Sequence, residues 1–309
     1  MISNNKYLIP KSIDEAYHMS TSNPGSKYIA GGTDLMVNKF QGNEKTICLI
    51  DITKINNLKG VKKKDGFLHI GALENLESLK NYNEITTEFP MLIEAALSVG
   101  TPLIRKTATL GGNILCENRC IFYNQSEWWR KAAGYCLKCN GDICIATQGK
   151  KACFSELVSD TAPALIAMNA QLEIKNKKGI TCIKLEDIYS GDGVVPLNIS
   201  DSTIIIGIKL PLNKNFKTAF HKLRERETLE FTSLTTAVSV NKSDEIKIAL
   251  SGVDPKPIVI EANIDDDKEL ILKKAIKGAR AIDNDMYSRK YRKEMIRVFL
   301  ERSFNSLNI

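Results

Sequence analysis

The chain has 309 residues, of which 43% are hydrophobic and 26% are charged, and its formal net charge is +7. This length suits two domains, or one domain with an appended module, and the composition is that of an ordinary folded protein. The lysines are scattered and form no basic stripe with interleaved aromatic residues, so nucleic-acid binding is not indicated. No apolar run reaches the roughly 18 residues that a membrane span needs, and residues 1–10 contain no apolar signal core. We therefore expect a cytoplasmic protein that does not bind membranes.

Short strands and helices alternate along the predicted fold, which indicates the α+β class. The predicted strands of the first part lie at residues 6–9, 27–30, 46–50, 67–71, 172–174, 181–184 and 203–210. The predicted helices of the first part lie at residues 12–19, 35–40, 87–99 and 160–168. After residue 213 we predict three strands, at 218–224, 235–241 and 246–252, and then two helices, at 267–281 and 285–304.

Two glycine pairs stand out, Gly31 with Gly32 and Gly111 with Gly112, and each has a threonine beside it. Consecutive glycines let backbone N–H groups approach an anion without an intervening Cβ, and a helix start adds a favourable dipole. A tight turn is the simpler explanation of either pair alone. Two such pairs together indicate two loops that close on one phosphate-bearing ligand. Neither fits the Rossmann or P-loop pattern.

These loops resemble the paired FAD motifs of the flavoprotein subunits of molybdenum hydroxylases, a family that includes the flavin domains of xanthine dehydrogenase and aerobic carbon monoxide dehydrogenase. The resemblance covers nearly the whole chain. It implies a two-part FAD-binding domain of the PCMH/vanillyl-alcohol-oxidase type at residues 1–211, followed at 212–309 by a small antiparallel sheet with C-terminal helices. It also implies noncovalent FAD with both loops on its diphosphate. The implied loop residues are Ala30, Gly31, Gly32, Thr33, Asp34, Leu35, Thr109, Gly111, Gly112 and Asn113.

Four further positions match the family one by one. Thr101 and Arg105 match the segment before the second loop. Asp160 matches an acidic residue near the adenosine end of the cofactor, and Lys222 matches a basic residue near the flavin ring. The alternatives are that Asp160 is a helix N-cap and that Lys222 is a surface strand residue.

An insertion of about forty residues, at about 116–156, separates the second glycine loop from the segment around Asp160, whereas family members run almost directly from one to the other. Thiolates are soft ligands, and four of them suit Zn²⁺ or an iron–sulfur cluster. A C-x-x-C pair is present, but the second pair of a zinc ribbon is missing and the segment has no histidine. Six of the eight cysteines lie here: Cys116, Cys120, Cys136, Cys139, Cys144 and Cys153.

The insertion resembles that of the β subunits of 4-hydroxybenzoyl-CoA reductases, which add a [4Fe–4S] cluster to this flavoprotein. Both tryptophans of the chain lie in it, where large rings would shield a cluster from water. Cys139 and Cys116 depart from the ligand spacing, and Cys139 is close enough to Cys136 to replace it. The ligands that this spacing implies are Cys120, Cys136, Cys144 and Cys153.

The resemblance implies an electron-transfer subunit without catalytic residues of its own. Its partners would be a molybdopterin-containing large subunit and a [2Fe–2S] small subunit, with ferredoxin as the electron donor. Electrons would pass from the [4Fe–4S] cluster through FAD to molybdenum, where 4-hydroxybenzoyl-CoA is reductively dehydroxylated to benzoyl-CoA. One alternative is a hydroxylase flavoprotein that passes electrons outward to an acceptor such as NAD⁺. The other is a zinc-stabilised, non-enzymatic binding module.

Overall fold

The computed structural model describes residues 5–309, so the first four residues of the predicted FAD-binding domain lie outside the described chain. Three β-sheets with helices packed on them make up the fold, in agreement with the predicted α+β class. None of the helices between residues 5 and 309 is long and apolar enough to cross a membrane.

The first sheet has three parallel strands in the order β1-β3-β2. Two helices accompany it, and the first begins at Ser12, whose hydroxyl caps the helix by accepting a hydrogen bond from the Glu15 N–H. Buried apolar side chains such as Ala16 and Ile50 form its core. The elements are β1 (Lys6–Leu8), α1 (Ile13–Ser22), β2 (Lys27–Ile29), α2 (Leu35–Phe40) and β3 (Cys48–Asp51).

The second sheet has five antiparallel strands in the order β4-β5-β8-β6-β7. Its strands are β4 (Val61–Lys64), β5 (Phe67–Gly71), β6 (Gln171–Asn176), β7 (Gly179–Lys184) and β8 (Ile204–Pro211). The predicted hairpin around Gly179 is confirmed as β6 and β7. The helices between β5 and β6 are α3 (Asn83–Glu88), α4 (Pro90–Leu97), α5 (Pro102–Arg105), α6 (Leu110–Ile114), α7 (Glu127–Ala133) and α8 (Thr161–Ala167).

The third sheet has four antiparallel strands in the order β12-β11-β10-β9. Helix α8 packs on β10 and β11, while α10 packs on β9 and β10, so every residue of β10 is buried. Ala237 of β10 and Ala249 of β11 belong to the same buried cluster as the five-stranded sheet. The elements are β9 (Lys217–Leu223), β10 (Leu234–Val240), β11 (Glu245–Ser251), β12 (Ile258–Asn263), α9 (Lys268–Gly278) and α10 (Arg289–Leu307).

Two predicted helices differ from the structure, and the strands β4 and β12 are additional to those predicted. The helix predicted at 87–99 is two helices, because Pro90 has no N–H to continue a helix and instead begins α4. The third sheet has a fourth strand, β12, which the sequence pattern did not indicate because prolines lie just before it. Helix α10 begins after Ser288, whose hydroxyl accepts from the Tyr291 N–H, and not at residue 285.

Candidate functional site

The first glycine loop lies directly against the chain that leads into the second. A Cβ on Gly31 would stand 2.0 Å from the carbonyl oxygen of Thr107, so only glycine fits there. Gly32 has φ +69°, a left-handed conformation that glycine adopts without strain. The two consecutive glycines therefore do more than make a tight turn, because Gly31 also allows the two loops to approach each other closely.

Side-chain hydrogen bonds hold the second glycine loop at its beginning and at its end. Its Thr109 hydroxyl accepts a hydrogen bond from the Gly112 N–H at 3.1 Å and caps α6. Beyond the glycines, Asn113 Oδ1 accepts from the hydroxyls of Ser159, at 2.9 Å, and Thr161, at 2.6 Å. The loop is thus fastened to the start of α8, on the far side of the insertion.

Both loops line one cleft with a cavity volume of about 760 Å³, within the range of small-molecule and cofactor sites. Residues of both loops therefore face a single space, as expected for a ligand that both loops contact. The predicted residues that line it are Ala30, Gly31, Gly32, Thr33, Asp34, Leu35, Thr109, Gly111, Gly112, Asn113 and Asp160.

Thr101 and Arg105 do not line this cleft, and their contact with the cofactor stays a prediction. Thr101 caps α5 by accepting from the Ile104 N–H. The Arg105 guanidinium donates to Glu77 at 2.7 Å and to the carbonyls of residues 97 and 99 at 3.0 Å. Val99 and Ile104, which receive or donate two of these bonds, line the cleft together with Gly100, so Thr101 and Arg105 support this part of its wall.

Lys222 and Asp160 form a buried ion pair at the edge of the cleft. The Lys222 Nζ lies 2.7 Å from Asp160 Oδ2 and donates to the carbonyls of Ser98 and Glu230 at 3.1 Å. Burial raises the pKa of the Asp160 carboxyl, and Lys222 opposes that rise. Asp160 makes no side-chain cap for α8, and the Lys222 side chain is 4% exposed, so neither alternative from the sequence holds.

Asp34 ties the first loop to the insertion. Its Oδ2 accepts from the Glu117 N–H at 2.9 Å, and its Oδ1 pairs with the Arg119 guanidinium. The Arg119 guanidinium carbon also lies 4.5 Å from the centre of the Phe231 ring, which lines the cleft from the other side. A carboxylate in the first glycine loop is thus neutralised by an arginine that comes from the insertion.

Several cleft residues gave no signal in the sequence. Segment 194–197, with the exposed Val194 and Val195, and residues 229–231 form walls of the cleft. They are loop residues without periodicity or motif. Their position follows from long-range packing, which a single sequence does not display.

Four cysteines of the insertion line one small cavity, and they are the four that the resemblance implies as ligands: Cys120, Cys136, Cys144 and Cys153. Cys139 is not part of its lining, and Cys116 lies in the wall of the larger cleft. Within residues 5–309 no three His, Cys, Asp or Glu side chains stand in position to hold a metal ion. The cavity itself is narrow, about 20 Å³, which is little more than one water needs.

The environment of these thiols differs from one to the next. Burial raises the pKa of Cys120 to about 12 and also raises the pKa of Cys153. A hydrogen bond from the Cys139 thiol lowers the pKa of Cys136 to about 6.

Both ends of the insertion are docked on the C-terminal part of the chain. Asn118 Nδ2 donates to the carbonyls of Ser155 and Pro255 at 3.0 Å. Arg292 of α10 is fully buried and pairs with Glu156, and Ile282 lines the cysteine cavity. The cysteine segment is thus part of the folded body of the protein and not an independent knuckle.

Residues 3–213 match the protein family described as FAD binding domain in molybdopterin dehydrogenase. The chain belongs to this family. This confirms FAD as a cofactor of the protein and the prediction that it is an oxidoreductase subunit.

Relatives of this flavoprotein match most of its length. The aldehyde oxidoreductase FAD-binding subunit PaoB of Escherichia coli K12 is 29% identical over 254 residues, which cover 77% of this chain and 78% of that protein. The xanthine dehydrogenase FAD-binding subunit of Escherichia coli O157:H7 is 23% identical, with 80% and 73% covered. A carbon monoxide dehydrogenase structure from Hydrogenophaga pseudoflava shares the fold, with a TM-score of 0.77 at 21% identity, and 99% of this chain and 98% of that chain are covered.

Proposed function

We propose that this flavoprotein also holds a [4Fe–4S] cluster and is an electron-transfer subunit of a molybdenum-containing reductase of the 4-hydroxybenzoyl-CoA reductase type. One observation carries the proposal. Cys120, Cys136, Cys144 and Cys153 converge on one cavity, while Cys116 and Cys139 do not line it. Four thiols without histidine are the ligand set that iron–sulfur clusters use.

Space and chain flexibility both bear on the fit of a cluster. Because the cavity is narrow, binding would move the four thiols outward. The segments that carry Cys144 and Cys153 consist of turns and irregular chain without a helix, so a shift there breaks little regular structure. Binding would also release the protons that the buried thiols hold, as metal binding to cysteine does generally.

Bound FAD supplies one- and two-electron chemistry, and a cluster supplies one-electron chemistry. We assign the two glycine loops, residues 30–35 and 109–113, to the diphosphate. Asp160, held by Lys222, would shape the cleft wall, and Thr101 and Arg105 would hold the turn at Gly100. The protein's own contribution is to orient the cofactors and exclude water, since we assign no catalytic residue to it.

The proposed assembly has a molybdopterin-containing large subunit, a [2Fe–2S] small subunit and ferredoxin as the electron donor. Its support is that relatives are named as single chains of larger enzymes, such as the carbon monoxide dehydrogenase medium chain. The matching carbon monoxide dehydrogenase structure is described as a form that lacks the Mo-pyranopterin moiety of its molybdenum cofactor, so that enzyme is one that carries such a cofactor. We also propose the domain boundary at 211/212, where β8 ends at Pro211, and a cytoplasmic location.

Anaerobic purification of the full chain tests the cluster. We expect about four iron and four sulfide per FAD and an EPR signal after reduction, as four cysteine ligands imply. A preparation with FAD but without this signal would refute the proposal. Stoichiometric zinc in place of iron would support the alternative of a zinc-stabilised insertion.

A second candidate is a subunit that passes electrons outward from substrate to an acceptor. It is favoured by the relatives, which are named as dehydrogenases of xanthine, nicotinate and carbon monoxide. Assays of the assembled enzyme with a reduced ferredoxin-like donor, compared with NAD⁺ as acceptor, distinguish the two directions. Turnover only with NAD⁺ and an oxidisable substrate would establish the second candidate.

A further inference from the structure

A thin wall separates the FAD cleft from the cysteine cavity. Tyr123 lines both spaces, so its ring is part of the wall. An ion pair crosses the wall beside it. Lys138 lines the cysteine cavity, Glu117 lines the FAD cleft, and the Lys138 Nζ lies 2.5 Å from Glu117 Oε1.

The Lys138 ammonium is fixed in place by three groups. Besides Glu117, it donates to the carbonyl oxygen of Gly193 at 2.5 Å and lies 5.1 Å from the centre of the Tyr123 ring. Its side chain is 4% exposed although lysine is normally a surface residue. A long cation with these three anchors cannot swing into water as a surface lysine does, and its charge stays at the cavity.

A fixed charge at this place affects redox centres on both sides. A cluster with four thiolates is anionic and gains another negative charge on reduction, so a nearby cation favours its reduced form. A carboxylate on the flavin side opposes flavin reduction for the same reason. Because the two groups neutralise each other, the charge that each redox centre experiences depends on both.

We propose that the Lys138–Glu117 pair couples the two redox sites, with Lys138 as a positioning residue that sets the potential of the cluster and Glu117 as its counterpart at the flavin. This inference rests on the proposed cluster at the four cysteines. It goes beyond that proposal because neither residue is a ligand of either cofactor.

The test is a redox titration of the full chain, purified anaerobically, with EPR for the cluster and visible absorbance for the flavin. In K138M we expect the midpoint potentials of both cofactors to fall, because a cation is lost at the cluster and the Glu117 carboxylate is left unpaired at the flavin. In E117Q we expect both to rise, because a negative charge is removed and the Lys138 charge is no longer neutralised. K138R should stay close to wild type.

K151M is the matched control, since Lys151 is an exposed lysine of the same insertion, and it should leave both potentials unchanged. Iron analysis precedes each titration. A wild-type chain without cluster iron defeats the proposed function, whereas an iron-loaded K138M with wild-type potentials overturns only the coupling. If K138M fails to fold or to hold iron, E117Q decides, because Gln has the same size as Glu. Unchanged potentials in E117Q then overturn the inference.

Discussion

The Lys222 ammonium reaches across from β9 to Asp160, 2.7 Å away, and both side chains are at most 5% exposed. The pair joins the third sheet to the start of α8 at the edge of the FAD cleft. A buried ion pair often adds little stability compared with well-packed apolar residues of similar size. Removal of only one partner is destabilising, because it leaves a buried charge unpaired.

Replacement of Lys222 by methionine tests this pair. We expect a loss of about 3–5 kcal/mol in the free energy of unfolding at neutral pH, as for other broken buried pairs. The surface pair of Lys63 and Glu88 supplies the control, and K63M should cost less than about 1 kcal/mol. Urea unfolding of FAD-loaded protein measures both, and similar small losses would contradict the buried pair's role.

The loss in the free energy of unfolding caused by K222M should depend on pH. Burial already raises the pKa of Asp160, and loss of Lys222 raises it further. An acid whose pKa is higher in the folded than in the unfolded state binds more protons when folded, so stability falls as pH rises above the unfolded value. We expect the difference from wild type to be small near pH 4 and larger toward pH 7. Unfolding curves across that range measure it, and a constant difference would contradict it.

Gly31 should be indispensable for the flavin. In G31A the new methyl group meets the Thr107 carbonyl at 2.0 Å, so the two loops must separate. We expect FAD affinity to fall by more than about tenfold, which corresponds to 1.4 kcal/mol. Gly25 has open space around it, and G25A serves as the control because it strains only its own backbone, at φ +77°. Flavin titration by fluorescence gives both affinities, and equal losses would refute the close-approach argument.

The cysteine cavity predicts which thiols are needed for iron. Serine at Cys120, Cys136, Cys144 or Cys153 should lower the iron content relative to FAD. C116S, whose site lies in the other cleft, should keep the wild-type content. C139S is the sharper control, because Cys139 belongs to the C-x-x-C pair but not to the cavity lining. Iron retained in C136S and lost in C139S would reverse the assignment.

Arg292 should be needed for the docked insertion. It is fully buried and contacts Glu156 and the Gly252 carbonyl, the latter at 2.8 Å. R292M leaves the Glu156 carboxyl buried without its partner, and we expect a loss of about 3–5 kcal/mol. Arg297, an arginine of the same helix with a surface ion pair, is the control, and R297M should unfold close to wild type. Limited proteolysis would show the insertion cleaved first in R292M, and equal cleavage rates would contradict it.

The parts of this protein that sequence predicts are those with local signals. The glycine pairs and the hairpin at Gly179 follow from residues that need special backbone conformations, and the cluster of cysteines is visible as composition. The partner of Arg292 is 136 residues away and leaves no local trace. Motif similarity located Thr101 and Arg105 near the site but could not say that their side chains bond to the Ile104 N–H and to Glu77 and do not line the cleft.

The residues just before the insertion lie close to the residues just after it. Asn113, just before it, bonds to Ser159 and Thr161, just after it. A chain excursion whose ends already meet costs only about 0.6 kcal/mol more for each doubling of its length. The attachment of the second glycine loop to the start of α8 therefore depends little on how long this excursion is. A fold of this kind can therefore take up a long additional segment at this point, and here residues of that segment such as Glu117 and Tyr123 have become part of the cleft wall.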